Sequence, residues 1–178
     1  MKALTRIALT TAALFLFGAA SAGAAELPKI GIVNFQKVLA TSSPGKIAKA
    51  EINKKGKEME DSLKAKGAEL EELKKTIERE ALVMSKDKRD EKERDFRIKV
   101  NDFKTMQARY KESFKDLENR LISKINRDVL ELAHQMGKDE GYVLILEQNA
   151  AGVMYFPETL DITDKLITKF NKSSVNTK

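Results

Sequence analysis

Two long charged segments, residues 46–84 and 88–136, carry apolar side chains at heptad spacing, and that spacing commits most of the chain to paired helices. On the first, a seam stepping alternately by four and three passes through Ile52, Gly56, Met59, Leu63, Lys66, Leu70, Leu73, Ile77, Glu80 and Met84. On the second it passes through Phe96, Val100, Phe103, Gln107, Tyr110, Phe114, Leu117 and Leu121, with Gln107 its one polar member. Apolar spacing lapses over residues 85–88, where Ser85 or Asp87 can cap a returning helix, so the pair reads as an antiparallel hairpin. One unbroken rod is the alternative, and it would separate the strands at the two ends of the chain. Gly56, Gly67, Lys66 and Glu80 read as weak points of the first helix.

Past Leu121 the apolar step changes to four, four, three and four through Ile125, Val129, Leu132 and Met136. Such a stutter alters the supercoil and marks the helix leaving the arm for a base. That base is written at the chain ends. KIGIVNF, residues 29–35, alternates Ile30 and Ile32 against Val33 and Phe35, as a short strand buried on both faces does. Residues 36–40 allow one helical turn, and residues 41–45, with Pro44 and Gly45, supply a break and a hydroxyl cap.

Gly137 and Gly141 bracket a helix end, and YVLILE, residues 142–147, reads as a second buried strand. A loop over 148–152 and a third strand over 153–156, stopped by Pro157, would complete a hairpin. The run 161–164 resembles a capped helix start, followed by the stripe Ile162, Leu166, Ile167 and Phe170. The predicted fold class is α+β, mainly α: a long coiled-coil hairpin arm on a small β base. Its parts are a leader at 1–25, a discontinuous base at 27–45 and 139–171, an arm at 46–138 and a flexible tail at 172–178.

The leader follows from Lys2 and Arg6 ahead of an apolar stretch at residues 7–17 and small-residue cleavage candidates at Ala20-Ser21-Ala22 and Ala22-Gly23-Ala24. A cleaved secretory signal fits better than a retained anchor, because Thr, Ser and Gly dilute the run and no stop-transfer pattern follows. Its removal lowers the formal net charge from +6 to +4 and puts the mature start near Ala25 or Glu26. An exported chain with no cysteine has no disulfide framework, and a base of about fifty residues buries a marginal core. Stability must come from helix packing or from partner subunits, so self-association is expected, with Ile30, Ile32, Val33, Val143, Leu144, Ile145 and Leu146 as candidate contact residues of the base.

Catalysis has little to work with. The only histidine, His134, lies among Leu132, Ala133 and Met136, and no Ser, His and acid set stands at recognisable spacing, so no catalytic, cofactor-binding or metal-binding residue is assigned. Ser43-Pro44-Gly45-Lys46 lacks the upstream glycine and the following Ser/Thr of a phosphate loop. Residues 74–111 hold thirteen Lys or Arg against eight Asp or Glu. Lys86, Lys88, Arg89, Lys92, Arg94 and Arg97 near the proposed tip are therefore candidates for contact with an anionic membrane or an acidic client. Nucleic acid is not an expected partner, because no aromatic residues interleave with these cations.

The terminal segments, KIGIVNFQKVLATSSPGKIAKAEI at 29–52 and GYVLILEQNAAGVMYFPETLDITDKLITKFN at 141–171, resemble the Skp/OmpH family of periplasmic chaperones. The resemblance spans essentially the whole mature chain. It implies a homotrimer with a central strand-built barrel and three projecting helical arms. It also implies an ATP-independent holdase that keeps unfolded outer-membrane β-barrel precursors soluble in the periplasm and releases them for assembly. Asn34 stands where an Asp is expected, and the loop at 148–152 is slightly long. Lipopolysaccharide, a ligand of some members, is left as a candidate partner without residues. The readings competing with the holdase are a structural or adaptor coiled coil of the envelope and a binder of anionic membrane surfaces.

Overall fold

The computed structural model describes residues 28–175; the expected leader and its cleavage site lie outside them. Strand β1 (Ile30–Val33) leads through helix α1 (Phe35–Thr41) into the outgoing arm helix α2 (Ser43–Glu80). The return helix α3 (Lys86–Glu140) delivers the chain to strand β2 (Leu144–Glu147). A single 3₁₀ turn (Glu158–Leu160) precedes the last helix α4 (Thr163–Val175). At about 1.5 Å per residue, α2 reaches roughly 57 Å and α3 roughly 82 Å. No helix among the described residues is long and apolar enough to cross a membrane.

β1 and β2 pair in parallel, Ile30 opposite Leu144 and Val33 opposite Glu147. A parallel pair needs a crossover connection, and here the whole helical hairpin serves as one. The outer side of β1 is closed by the chain entering α4, where the Ile162 N–H donates to the Ile32 carbonyl at 3.0 Å. Among the described residues β2 has no strand on its other side.

The hairpin expected of residues 142–156 does not form. The turn is present, with Gly152 at φ 64° and the Val153 N–H bonded to the Gln148 carbonyl, but residues 153–156 run on without strand pairing. Val153, Tyr155 and Phe156 are strand-forming residue types, yet a strand needs a partner, and among the described residues these have none. Two other elements shift. Phe35 begins α1 because Asn34 caps it, the Asn34 Oδ1 accepting from the Lys37 N–H at 2.8 Å, and the expected single turn becomes two. The Asn34 amide also donates to the Gln148 side chain at 3.1 Å, a role an unprotonated Asp could not fill. The last helix continues through Val175, into the segment read as tail.

Ser42 caps α2 through the Gly45 N–H, and Pro44 sits in the first turn, so the helix begins ahead of the expected residue 46. Gly45 is required there: a Cβ would stand 2.1 Å from the Leu39 carbonyl oxygen. At the far end, Gly141 closes α3 in the left-handed conformation at φ 72°, its N–H bonded to the Gly137 carbonyl.

One core joins all parts of the base. Val33, Val38, Ala48, Ile125, Val129, Met136, Ile162, Leu166, Ile167 and Phe170 are buried together, so the first turns of α2 and the last turns of α3 belong to it. Thr163 is fully buried, its hydroxyl accepting from the Asn34 N–H at 3.0 Å while its own N–H donates to Asp161 at 2.8 Å. At the end of α3 three lysines converge. Lys165 and Lys169 pair with the Glu140 carboxylate, and Lys29 donates to the Glu140 carbonyl at 2.8 Å while lying 4.1 Å from the centre of the Tyr142 ring. Cations there also complement the negative end of the helix dipole. The Lys165 hydrogen bond, supported by Lys169 and opposed by partial desolvation, holds the Glu140 carboxyl below its ordinary value of 4.5.

Along the arm the nine seam residues of α2, from Ile52 to Glu80, turn inward, wholly or in part, and Met84, the tenth, is half-buried in the tip turn beyond the helix end. On α3 the seam takes Met106 in place of the expected Gln107, which points to water. The glycines read as weak points act as sockets: Phe114 lies over Gly56 and Phe103 over Gly67, at 3.1 and 3.8 Å from where their Cβ atoms would stand. Between them the Ser62 and Tyr110 hydroxyls are hydrogen-bonded at 3.2 Å. Lys66 pairs with Glu69 on its own helix, and Glu80 pairs across the tip with Lys92 at 2.6 Å.

Two expectations follow. Gly67→Ala, whose added methyl meets Phe103 at ordinary contact distance, should stabilise the protein by about 1 kcal/mol from helix propensity. Gly56→Ala should recover less, because Phe114 must shift; urea midpoints at one fixed protein concentration compare them. Glu140→Gln should lower stability near neutral pH. A depressed folded-state pKa contributes fully above the unfolded value of 4.5 and is lost as pH falls through the folded value, so the gap between variant and parent should close in acid.

Candidate functional site

The residues singled out for the base divide into two sets. Ile32 and Val33 lie in the chain's own core, and Ile30, Ile145 and Leu146 are half-buried. Val143 and Leu144 face outward, Val143 being 73% exposed. They border a shallow groove along the open edge of β2, walled on the α3 side by Leu130, Ala133, His134 and Gly137. Exposed Leu130 extends the same apolar surface, and Met154 and Tyr155, on the stretch without a strand partner, are 100% and 86% exposed. An unpaired strand edge and exposed aliphatic and aromatic side chains are what a surface for another chain needs. The short apolar run 153–156 marked those residues as strand material; nothing in it signalled their exposure.

His134 is exposed on the groove wall, and among the described residues no group of three or more His, Cys, Asp or Glu is placed to hold a metal. Ser43-Pro44-Gly45-Lys46 is spent on starting α2.

At the other end, α2 stops at Glu80 and a turn through residues 81–84 carries the chain to Ser85, at the cap position of α3. Lys86, Lys88 and Arg89 project from the first turns of α3, with Arg94 and Arg97 exposed further along. Lys92 stands apart from them. Its ion pair holds the Glu80 carboxyl below the ordinary carboxylate range and spans the tip, so this cation serves the hairpin turn. Leu82 and Val83 crown the tip, 94% and 86% exposed. They fell inside the segment read as helix but off its seam, and only the turn brings them to the apex.

The fold described has counterparts. The Skp-like protein of Pseudomonas aeruginosa is 26% identical over 172 residues, which cover 97% of this chain and 99% of that protein. A solved structure of an OmpH-like protein from Caulobacter crescentus matches with a TM-score of 0.76 at 16% identity, over 83% of this chain and 86% of that one, a likeness of fold. The family described as Outer membrane protein (OmpH-like) matches residues 29–170, from the residue before β1 to the last apolar residue of the α4 stripe. The chain belongs to the OmpH-like family.

Proposed function

We propose that this protein is an ATP-independent holdase of the periplasm. Three copies join through their bases, and the arms enclose a space in which unfolded outer-membrane β-barrel precursors are held and then released for assembly. The observation that carries this reading is that β2 has no strand on its other side among the described residues while Val143, Leu144, Met154 and Tyr155 are exposed. A two-stranded sheet is marginal by itself, and residues 153–156, of strand-forming type and without strand pairing among the described residues, are what a neighbouring copy can pair with. The Caulobacter crescentus protein is described as an OmpH-like outer membrane chaperone, which supports the same reading.

The arm suits a holdase. Its seam is half-buried along most of its length and its outer faces are charged, so it offers many weak polar and apolar contacts and no deep apolar pocket. A binder that must accept varied chains and let them go gains from such a surface. The reading assigns no catalytic step and no cofactor.

Light scattering after size separation tests it. The mature protein should run at about three times its chain mass and should keep an unfolded outer-membrane β-barrel protein soluble. Val143→Asp with Leu144→Asp should give a monomer of unchanged helical content that no longer protects the client. These positions test assembly better than Ile32, which is 3% exposed and whose replacement would disrupt the core of a single chain. A double variant that stays trimeric and protective would overturn the assembly surface; a mature monomer or dimer indifferent to the client would overturn the holdase.

A further inference from the structure

The two arm helices distribute their unpaired cations differently. On α2 six cations pair locally, Lys55 with Glu58, Lys57 with Asp61, Lys66 with Glu69, Lys74 with Glu78, Lys75 with Glu71 and Arg79 with Glu72, while Lys46, Lys49, Lys54 and Lys64, all in its first two-thirds, form no ion pair among the described residues. On α3, Arg94, Arg97, Lys104, Lys111 and Lys115 are exposed and form no ion pair among the described residues. Lys104 and Lys111 have no acidic residue three or four positions away in either direction, so α3 itself offers them none.

These five stand in single file. Their steps of three, seven, seven and four place them on one line along the helix, with Asn101 and Ala108 filling the gaps, over about 31 Å. Ile98, 53% exposed, flanks the line near Arg94; at the other end the line meets half-buried Glu118, which ends the run of cations, and then Ile122, 41% exposed, two turns beyond Lys115. Arg97, Lys104 and Lys111 recur every seven residues, roughly 10.5 Å.

We propose that this face of α3 is a docking track for an acidic amphipathic helix of a partner protein. The seam beside these cations is filled by α2, so what this face offers a partner is charge at a heptad repeat, which matches a helix with acids at the same repeat. Asn101 and Ala108 leave room for a second backbone, and the two isoleucines give it apolar anchors. A lipid surface would be met by a two-dimensional patch, and single-stranded nucleic acid by aromatic stacking; a single file of charges with aliphatic ends provides neither. The track lies away from the base surface proposed for assembly.

The test uses the full mature protein and a labelled acidic heptad peptide long enough to span the track, followed by fluorescence anisotropy. The peptide should bind with an affinity that falls as salt rises. An isomer of the same composition with scrambled order should bind about tenfold more weakly, as should the heptad peptide to Lys104→Glu with Lys111→Glu. Lys57→Glu, on α2, should change little. Circular dichroism and mass must match the parent in each variant; Lys104→Gln with Lys111→Gln, which adds no acid, should weaken binding in the same direction. Equal affinity for both peptides, or unchanged binding in both double variants, would sink the proposal. So would stronger binding of anionic vesicles or a single-stranded oligonucleotide through the same lysines.

Discussion

The parallel pairing of β1 with β2 governs the rest of the molecule. The two strands come from opposite ends of the described chain, and everything between them must leave the base and return to the same side of it. A parallel connection cannot close with a tight turn, so the long helical hairpin is at once the arm and the crossover that lets the sheet exist. The converse also holds: two helices of this polarity, meeting along one narrow seam, gain from having both roots fixed. Ala48 on the outgoing helix and Ile125, Val129 and Met136 on the returning one provide those roots.

The seam has its own logic. A hairpin this long must set the register between its helices, or the knobs of one will slide past the holes of the other. Large aromatic residues on α3 meet glycines on α2 at two separated places, Phe114 at Gly56 and Phe103 at Gly67, with the Ser62–Tyr110 hydrogen bond between them. A ring that fits only where a side chain is missing specifies register more sharply than a row of leucines, at the expense of helix propensity at each glycine. The Glu80–Lys92 pair closes the tip end of the same ladder.

What could be read from the sequence was what is local. Heptad periodicity located both helices and nine inward positions of α2, because it depends on residues one or two turns apart. The strand character of residues 30–33 and 144–147 was legible for the same reason. Signals that depend on a partner were not. Gly56 and Gly67 looked like defects because Phe114 and Phe103 meet them only once the hairpin has formed. Residues 153–156 had the residue types of a strand, stopped by Pro157, and lacked a neighbour to pair with among the described residues. Phe35 looked like the end of a strand because the Asn34 cap that starts α1 outweighs one more alternating apolar residue. The shift from Gln107 to Met106 is one position on a helix, a drift that strict counting by sevens cannot follow.

The arm and the base are mechanically one piece. α3 runs without a break from the tip to Glu140, and residues of this single helix line both the seam and the core. The other root is equally firm: Ser42 is fully buried, its hydroxyl fixed to the Gly45 N–H, and the Leu39 carbonyl fills the space a Cβ would need at Gly45. Gly45 and Gly137, the glycines of α2's first turn and α3's last turns, both have backbone atoms within 4 Å of where a Cβ would stand, so neither is a glycine in open space at which a hinge could turn. Movement of the arm relative to the base is therefore expected as gentle bending spread along the half-buried seam, where few side chains are lost from the core per degree of bend. An arm that flexes along its length while its roots stay fixed can vary the space beside it without disturbing the sheet edge at which copies would meet.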